Sequence, residues 1–206
     1  SERKKVPVFE HACQAPVAEW RGRKVGTIGL AGGFSFQASK NINAGEGGAV
    51  TTNHAEFARY CNNFHNQGMQ GRTTTQYEDG AGTRASNMRL TEFQSGVLLA
   101  QMSRLIEHAN RRSENANYLT ALLNDVPGIL PAKLYDGVTR SAYHLYMFRY
   151  DKTHFAGLTR DKFMEALRAE GVPCSKGYAT MNTDQYVKQL ANNRHYRKIY
   201  GEKKMA

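Results

Sequence analysis

Apolar residues along this chain come in short bursts, each set off by glycine or by a polar turn. "VPVF" at residues 6–9 follows a basic turn and predicts a buried parallel strand. "TIGLAGGFSF" at 27–36 predicts a second, broken by glycines, and "GGAVTT" at 47–52 a third. In "HAEFARYCNNF", residues 54–64, Phe57, Cys61 and Phe64 recur at helical spacing. Short buried strands alternating with helices indicate an α/β sheet rather than a sandwich. Residues 65–86 are rich in Gly and Thr without a period, and a loop of that length is functional or mobile.

Thr91 suits the cap of a long helix running to residue 126. Phe93, Val97, Met102, Leu105, Ile106, Ala109, Ala116, Leu119 and Leu123 mark its apolar face, and Pro127 and Gly128 stop it. A second α+β unit follows. "YHLYMFRYD" (143–151) alternates and is aromatic, which predicts a strand. "TRDKFMEALRAEG" (159–171) has a Thr cap, an early Asp and a terminal Gly, the signature of a helix. "DQYVKQL" predicts a weaker helix, and the join between the two units is the long helix itself. No internal repeat or low-complexity tract occurs.

Composition narrows the class. With 206 residues, 40% of them apolar, the chain can bury a core as one domain or two small ones. It has no run of 18 apolar residues, so no membrane association is expected. The opening "SERKKVPVF" lacks the apolar region of a signal peptide and a starting Met, and predicts a segment of a longer protein. Cys13, Cys61 and Cys174 are odd in number and lack metal-like spacing; they read as free thiols in a reducing, cytoplasmic setting, with no metal. The net charge of +10 would suit a polyanion, but the basic groups are scattered and no stripe interleaves them with aromatics. A nucleic-acid partner is therefore not expected.

"GFSFQASKNINAGEGGA", residues 33–49, is the stretch with chemistry in it. A lysine amine condenses with an aldehyde only if it is partly neutral and held beside the carbonyl. Pyridoxal phosphate further demands donors for its phosphate, a partner for the pyridine nitrogen, and packing on the ring. Ser35 lies at the end of an apolar strand, five residues before Lys40, and "GEGG" supplies backbone freedom nearby. By composition alone, an ordinary strand–loop–strand with an exposed lysine explains the same stretch.

The wording goes further. "FSFQASKNINAGEGGAVTTN" closely resembles the internal-lysine segment of the DegT/DnrJ/EryC1/StrS sugar aminotransferases, fold-type-I pyridoxal-phosphate enzymes. Three other segments match in order: "VPVFEHACQAPVAEWRGRKVGTIG", "RASNMRLTEFQSGVLLAQMSRL" and "SAYHLYMFRY". The resemblance implies an α/β chain with the aspartate aminotransferase-like fold of pyridoxal-phosphate-dependent transferases. Residues 1–90 would then be the C-terminal part of the large cofactor-binding domain with its mixed sheet. Residues 91–126 would be the connecting helix, and 127–206 an incomplete small α+β domain. It implies a homodimer with the active site at the interface.

Carried over position by position, Lys40 corresponds to the Schiff-base lysine, which also shuttles protons, and Ser35 to the phosphate-binding serine. Gln14 matches the residue near the cofactor ring, and Asn87 the asparagine sent across the dimer to the neighbour's phosphate. Arg89 and His144 are weaker substrate candidates; a helix-start salt bridge and a satisfied strand histidine explain them as well. The family's acid for the pyridine nitrogen is an aspartate, and here "FEHACQA" puts His11 in its place. A neutral imidazole favours the protonated ring much less than a carboxylate, and a charged one opposes it. Glu10 is adjacent, but strand neighbours point to opposite faces.

The resemblance implies amino transfer from glutamate or glutamine to a keto sugar, nucleotide-linked or not, or to a cyclitol. A sugar dehydratase of the same family is the near alternative, though those enzymes have histidine in place of Lys40. A catalytically impaired or non-catalytic family member is the alternative that His11 favours.

Overall fold

The computed structural model describes residues 4–68 and 85–201. The predicted loop over 65–86 lies largely outside those residues. The chain forms two compact units, Ser1–Asp151 and Lys152–Ala206.

The first unit is organised around a mixed three-stranded sheet. Strand β1 (Phe9–His11) runs parallel to β4 (Ala31–Ser35), which pairs antiparallel with β5 (Gly48–Thr51). Strand β1 starts later than the apolar run suggested, because Pro7 has no N–H for the ladder. Val8 still contributes its carbonyl, which accepts from Leu30 N at 2.8 Å. β5 departs from expectation in being mostly exposed.

Between β1 and β4 the chain makes a small hairpin, β2 (Glu19–Trp20) and β3 (Arg23–Lys24). Arg21 (φ +49) and Gly22 (φ +73) form its two-residue tip, the left-handed pair that matches strand twist. Strand β7 (Val138–Arg140) adds to β2, and a separate antiparallel pair joins β6 (Ile129–Pro131) to β8 (Phe148–Tyr150). The aromatic strand expected over 143–151 is thus only three residues long. Its first half is drawn instead into a turn at Tyr143, where φ is +41.

Helix α1 (Ala55–His65) begins at His54, whose Nδ1 accepts from Phe57 N. The long helix is two helices, α2 (Glu92–Met102) and α3 (Leu105–Asn124). Thr91 caps α2 in a reciprocal capping box with Gln94. The break falls at Ser103, whose hydroxyl donates to the Ala100 carbonyl and so competes with the helix ladder. The buried hydrophobic residues described in this unit are mostly small: Ala12, Ala18, Ala31, Ala109, Ala116 and Ala142, with Ile42, Leu98 and Ile129.

In the second unit α4 (Arg160–Ala169) starts at Thr159 and ends before Gly171 (φ +80), as the sequence indicates. The Phe155 and Phe163 rings meet at 5.5 Å, and Met164 is buried. Two short helices follow, α5 (Gln185–Gln189) and α6 (Arg194–Tyr200), capped by Asp184 and Asn193.

Candidate active site

The register of β1 and β4 fixes what each face presents. Glu10 lies opposite Gly32 and His11 opposite Gly33, so Ser35, two residues beyond Gly33, shares His11's face. Glu10 and Gly32 belong to the other face, and that face is covered. Glu10 Oε1 accepts from Ile28 N (2.6 Å) and Gly29 N (2.7 Å), and Oε2 from Gly26 N (2.7 Å). Burial pushes the Glu10 carboxyl up, but the three backbone donors and Arg23 outweigh it, leaving it below its ordinary value. A Cβ on Gly32 would stand 2.4 Å from Gly26 Cα, so glycine there lets the 26–29 loop lie flat on the sheet. Glu10 is therefore committed to holding this loop and turns away from His11.

The face shared by His11 and Ser35 is open. Among the described residues, a Cβ added to Gly33 would meet only the Glu10 carbonyl, at 3.9 Å. His11 is exposed and Ser35 half-buried. Ser35 Oγ accepts from Gln37 N at 3.3 Å, which leaves its proton free to be donated outward. Beyond β1 the chain stays close: Ala12 N donates to the Gly33 carbonyl at 2.9 Å, and the half-buried Gln14 sits in the turn that follows.

Past Ser35 the chain forms a closed loop with Lys40 at its far end. Phe36 N donates to Gly47 O and Ala38 N to Gly45 O, each at 2.8 Å. Gly45 (φ +82) and Gly47 (φ +134) adopt backbone that other residues resist, and a Cβ at Gly47 would collide with Leu90. This is the structural use of "GEGG". Asn43 Nδ2 donates to the Lys40 carbonyl at 3.2 Å. Gln101 on α2 grips Asn43 twice, Nε2 donating to its carbonyl at 2.5 Å and Oε1 accepting from its N–H at 3.2 Å. Lys40 is half-buried.

His144 comes to this loop from a hundred residues away. Its Nδ1 lies 3.4 Å from Asn41 Oδ1, while Asn41 Nδ2 donates to the Ala142 carbonyl at 2.7 Å. Burial, then the charges of Lys40 and Arg112, hold the imidazole below its ordinary value. Asn87 and Arg89 form a different group. Asn87 bridges to Asn66, and Arg89 Nη1 donates to Oδ1 of Asn66, a residue only 3% exposed, at 2.7 Å. Arg89 lines a cavity of about 560 Å³ with Asn66, Glu92, Ser95 and Leu99; Asn87 is not among its lining residues. Among the described residues no hydrogen bond joins this pair to the lysine loop.

Sequence reasoning placed Lys40, Ser35 and His11 in one neighbourhood but missed Asn41, Asn43, Gln101 and Arg112. Asn41 and Asn43 closely follow the lysine, yet their long-range partners are 58 to 103 residues away and leave no local signal. On the open side a hydroxyl proton at Ser35 and the room above Gly33 fit the phosphate and ring of pyridoxal phosphate, and Lys40 stands five residues on in the loop that follows. That side lacks a carboxylate for the pyridine nitrogen.

The family model for the DegT/DnrJ/EryC1/StrS aminotransferase family matches residues 1–200. The chain is 36% identical over 192 residues to L-glutamine:2-deoxy-scyllo-inosose aminotransferase of Streptoalloteichus tenebrarius, covering 90% of this chain and 45% of that protein. Among solved structures it resembles Helicobacter pylori PseC, an aminotransferase involved in the biosynthesis of pseudoaminic acid. The TM-score is 0.78 at 27% identity, over 93% of this chain and 50% of that one. It also resembles 3-amino-5-hydroxybenzoic acid synthase, with a TM-score of 0.76 at 30% identity, over 90% of this chain and 48% of that one. The chain spans about half the length of the curated relatives it matches. The family match along nearly its whole length, with the mixed α/β fold that its neighbours share, shows that the chain belongs to the DegT/DnrJ/EryC1/StrS aminotransferase family.

Proposed function

We propose that the chain is the part of a pyridoxal-phosphate-dependent aminotransferase that bears its reactive lysine. The amino group moves from glutamine or glutamate to a keto sugar, nucleotide-linked or free, or to a cyclitol. The observation that carries this reading is the setting of Lys40. Its backbone is pinned by Asn43 and Gln101, and among the described residues no hydrogen bond or ion pair engages its amine. When bound, pyridoxal phosphate supplies an electrophilic aldehyde and an electron-withdrawing ring.

Ser35 donates its hydroxyl proton to the phosphate and so fixes the distance from that anchor to Lys40. Lys40 would hold the cofactor's aldehyde through its amine and, once that amine is freed by the donor, would carry a proton to and from the donor's α-carbon. Gln14 would stand by the cofactor ring, and Asn87 would reach the neighbour's phosphate across a homodimer. Arg89 and His144 face the substrate. The relatives support the substrate class, because one is named for glutamine and a keto-cyclitol. Three free thiols suit a cytoplasmic setting.

The test is amino transfer itself. The complete protein with cofactor, glutamine and a keto-cyclitol should yield the amino-cyclitol, and Lys40→Ala should abolish it. Turnover that survives Lys40→Ala would refute the assignment. A second reading, a catalytically impaired family member, is favoured by His11 and by the commitment of Glu10 to the 26–29 loop. Absence of product with wild-type protein that nonetheless binds the cofactor would select it.

A further inference from the structure

Between Ser35 and Gly48, which pair at the end of the sheet, the chain leaves as one arm and returns as another. The arms bind each other: Phe36 N donates to Gly47 O, Ala44 N to Phe36 O and Ala38 N to Gly45 O, each at 2.8 Å. Lys40 sits at the tip, where its N–H donates to Gln37 O at 2.9 Å and its carbonyl accepts from Asn43 Nδ2 at 3.2 Å. These bonds close the loop on itself without fixing where its tip stands relative to the sheet. Gly45 and Gly47 make the return arm pliant, since glycine adopts backbone conformations that other residues resist. The tip has to be placed from outside the loop.

Helix α2 places it through two glutamines on one face. Positions 94 and 101 lie about two turns apart, roughly 10 Å along the axis. Gln94 Oε1 accepts from the Thr91 N–H at 3.2 Å and from the Thr91 hydroxyl at 2.9 Å. Only the oxygen of an amide can accept from an N–H, so the amide nitrogen is the atom left for the return arm. It donates to the Glu46 carbonyl at 2.8 Å and to the Ala44 carbonyl at 3.4 Å. One side chain thus joins the start of α2 to the loop. Gln101 takes the tip. Its Nε2 donates to the Asn43 carbonyl at 2.5 Å while its Oε1 accepts the Asn43 N–H at 3.2 Å, the pairing a neighbouring strand would make. Asn41 Nδ2 adds a further tie, to the Ala142 carbonyl at 2.7 Å, so the tip keeps one anchor when a glutamine is changed.

We propose that Gln94 and Gln101 are positioning residues that hold the lysine loop in register along α2. The span from Ser35 to Lys40 is then set by a rigid helix rather than by a glycine-rich loop. The inference rests on reading Ser35 as the phosphate anchor and Lys40 as the reactive amine. Each glutamine acts through the loop backbone and needs no contact with cofactor or substrate. A misplacement of about 1 Å can slow a reaction about a hundredfold, so loss of a clamp should show in the rate at Lys40.

The test compares two aldehydes on the complete protein. Pyridoxal phosphate is held by its phosphate, whereas pyridoxal has none, so only the first depends on the span from Ser35 to Lys40. Borohydride trapping and peptide mapping give the rate at which each labels Lys40, and the ratio of the two rates is the readout. Gln94→Glu and Gln101→Glu keep the accepting oxygen, and with it the Thr91 cap or the Asn43 N–H bond. Each loses the donor and sets a carboxylate against loop carbonyls. At neutral pH each should lower the ratio about tenfold or more, with the pyridoxal rate and the melting temperature little changed. Facing carbonyls raise the carboxyl's proton affinity, so acidification puts back an O–H donor. Both ratios should then return toward that of the wild type at the same pH, while Gln101→Met, which cannot regain a donor, stays low. An unchanged ratio in both glutamate variants, two aldehydes slowed alike, or a deficit that acid does not repair would overturn the positioning role while leaving Lys40 reactive. A wild type that labels Lys40 with neither aldehyde would instead overturn the function reading, and this role with it.

Discussion

Glu10 is the residue whose removal has the most calculable effect. Its carboxylate accepts three backbone N–H bonds, from Gly26, Ile28 and Gly29, at 2.6 to 2.7 Å. Glu10→Gln keeps one oxygen, which can still serve Ile28 and Gly29, but sets an NH₂ group against the Gly26 N–H. One buried donor left unpaired costs about 1–3 kcal/mol, and the two remaining bonds lose charge assistance. Water at this half-buried site offsets part of that, so the expected local loss is about 2 kcal/mol. Amide hydrogen exchange reads it directly. Protection at Gly26, Ile28 and Gly29 should fall about thirtyfold in Glu10→Gln, since each 1.4 kcal/mol is tenfold.

The pH dependence has a definite sign. The folded carboxyl lies below its ordinary value of 4.5, so its contribution is whole above that value and is lost as pH falls through the folded value. Acidification from neutral pH should therefore narrow the gap between wild type and Glu10→Gln. Unchanged protection in the variant, or a gap that widens in acid, would show that the loop is not held by this carboxylate.

Three other outcomes follow from the site. Gly33→Leu projects into open space, so melting should barely change while affinity for pyridoxal phosphate, read by absorbance titration, falls about tenfold or more. His11→Asp should restore a carboxylate for the ring nitrogen and raise turnover by about tenfold; no gain in turnover counts against His11 standing at that position. Gln101→Met removes both bonds to Asn43 and should cost about 1–2 kcal/mol, with faster exchange at the Asn43 amide.

What the sequence disclosed was what is encoded locally. Thr91 and Thr159 stand at helix starts because a hydroxyl followed by the right first turn satisfies free N–H groups wherever the helix lies. The lysine loop was legible because Gly45 and Gly47 are demanded by backbone conformation within the motif itself. The break at Ser103 escaped, since apolar periodicity continues through it while a single hydroxyl diverts the ladder. The short β8 escaped for a different reason. Its aromatic alternation is genuine, but Tyr143 and His144 are bent away by contacts with Asn41 and α3 that no window of sequence contains. Glu10 shows both sides: its alternation with His11 was readable, whereas its three partners across a turn of sixteen to nineteen residues were not.

The claim beneath the rest is that the side chain at position 40 is a reactive amine facing a bound carbonyl. Borohydride reduction of the cofactor-loaded complete protein, followed by peptide mapping, addresses it most directly. The pyridoxyl group should appear on the peptide containing Lys40, and Ser35→Ala should greatly reduce its yield. Label on another lysine, or a protein that takes up none, would contradict the account.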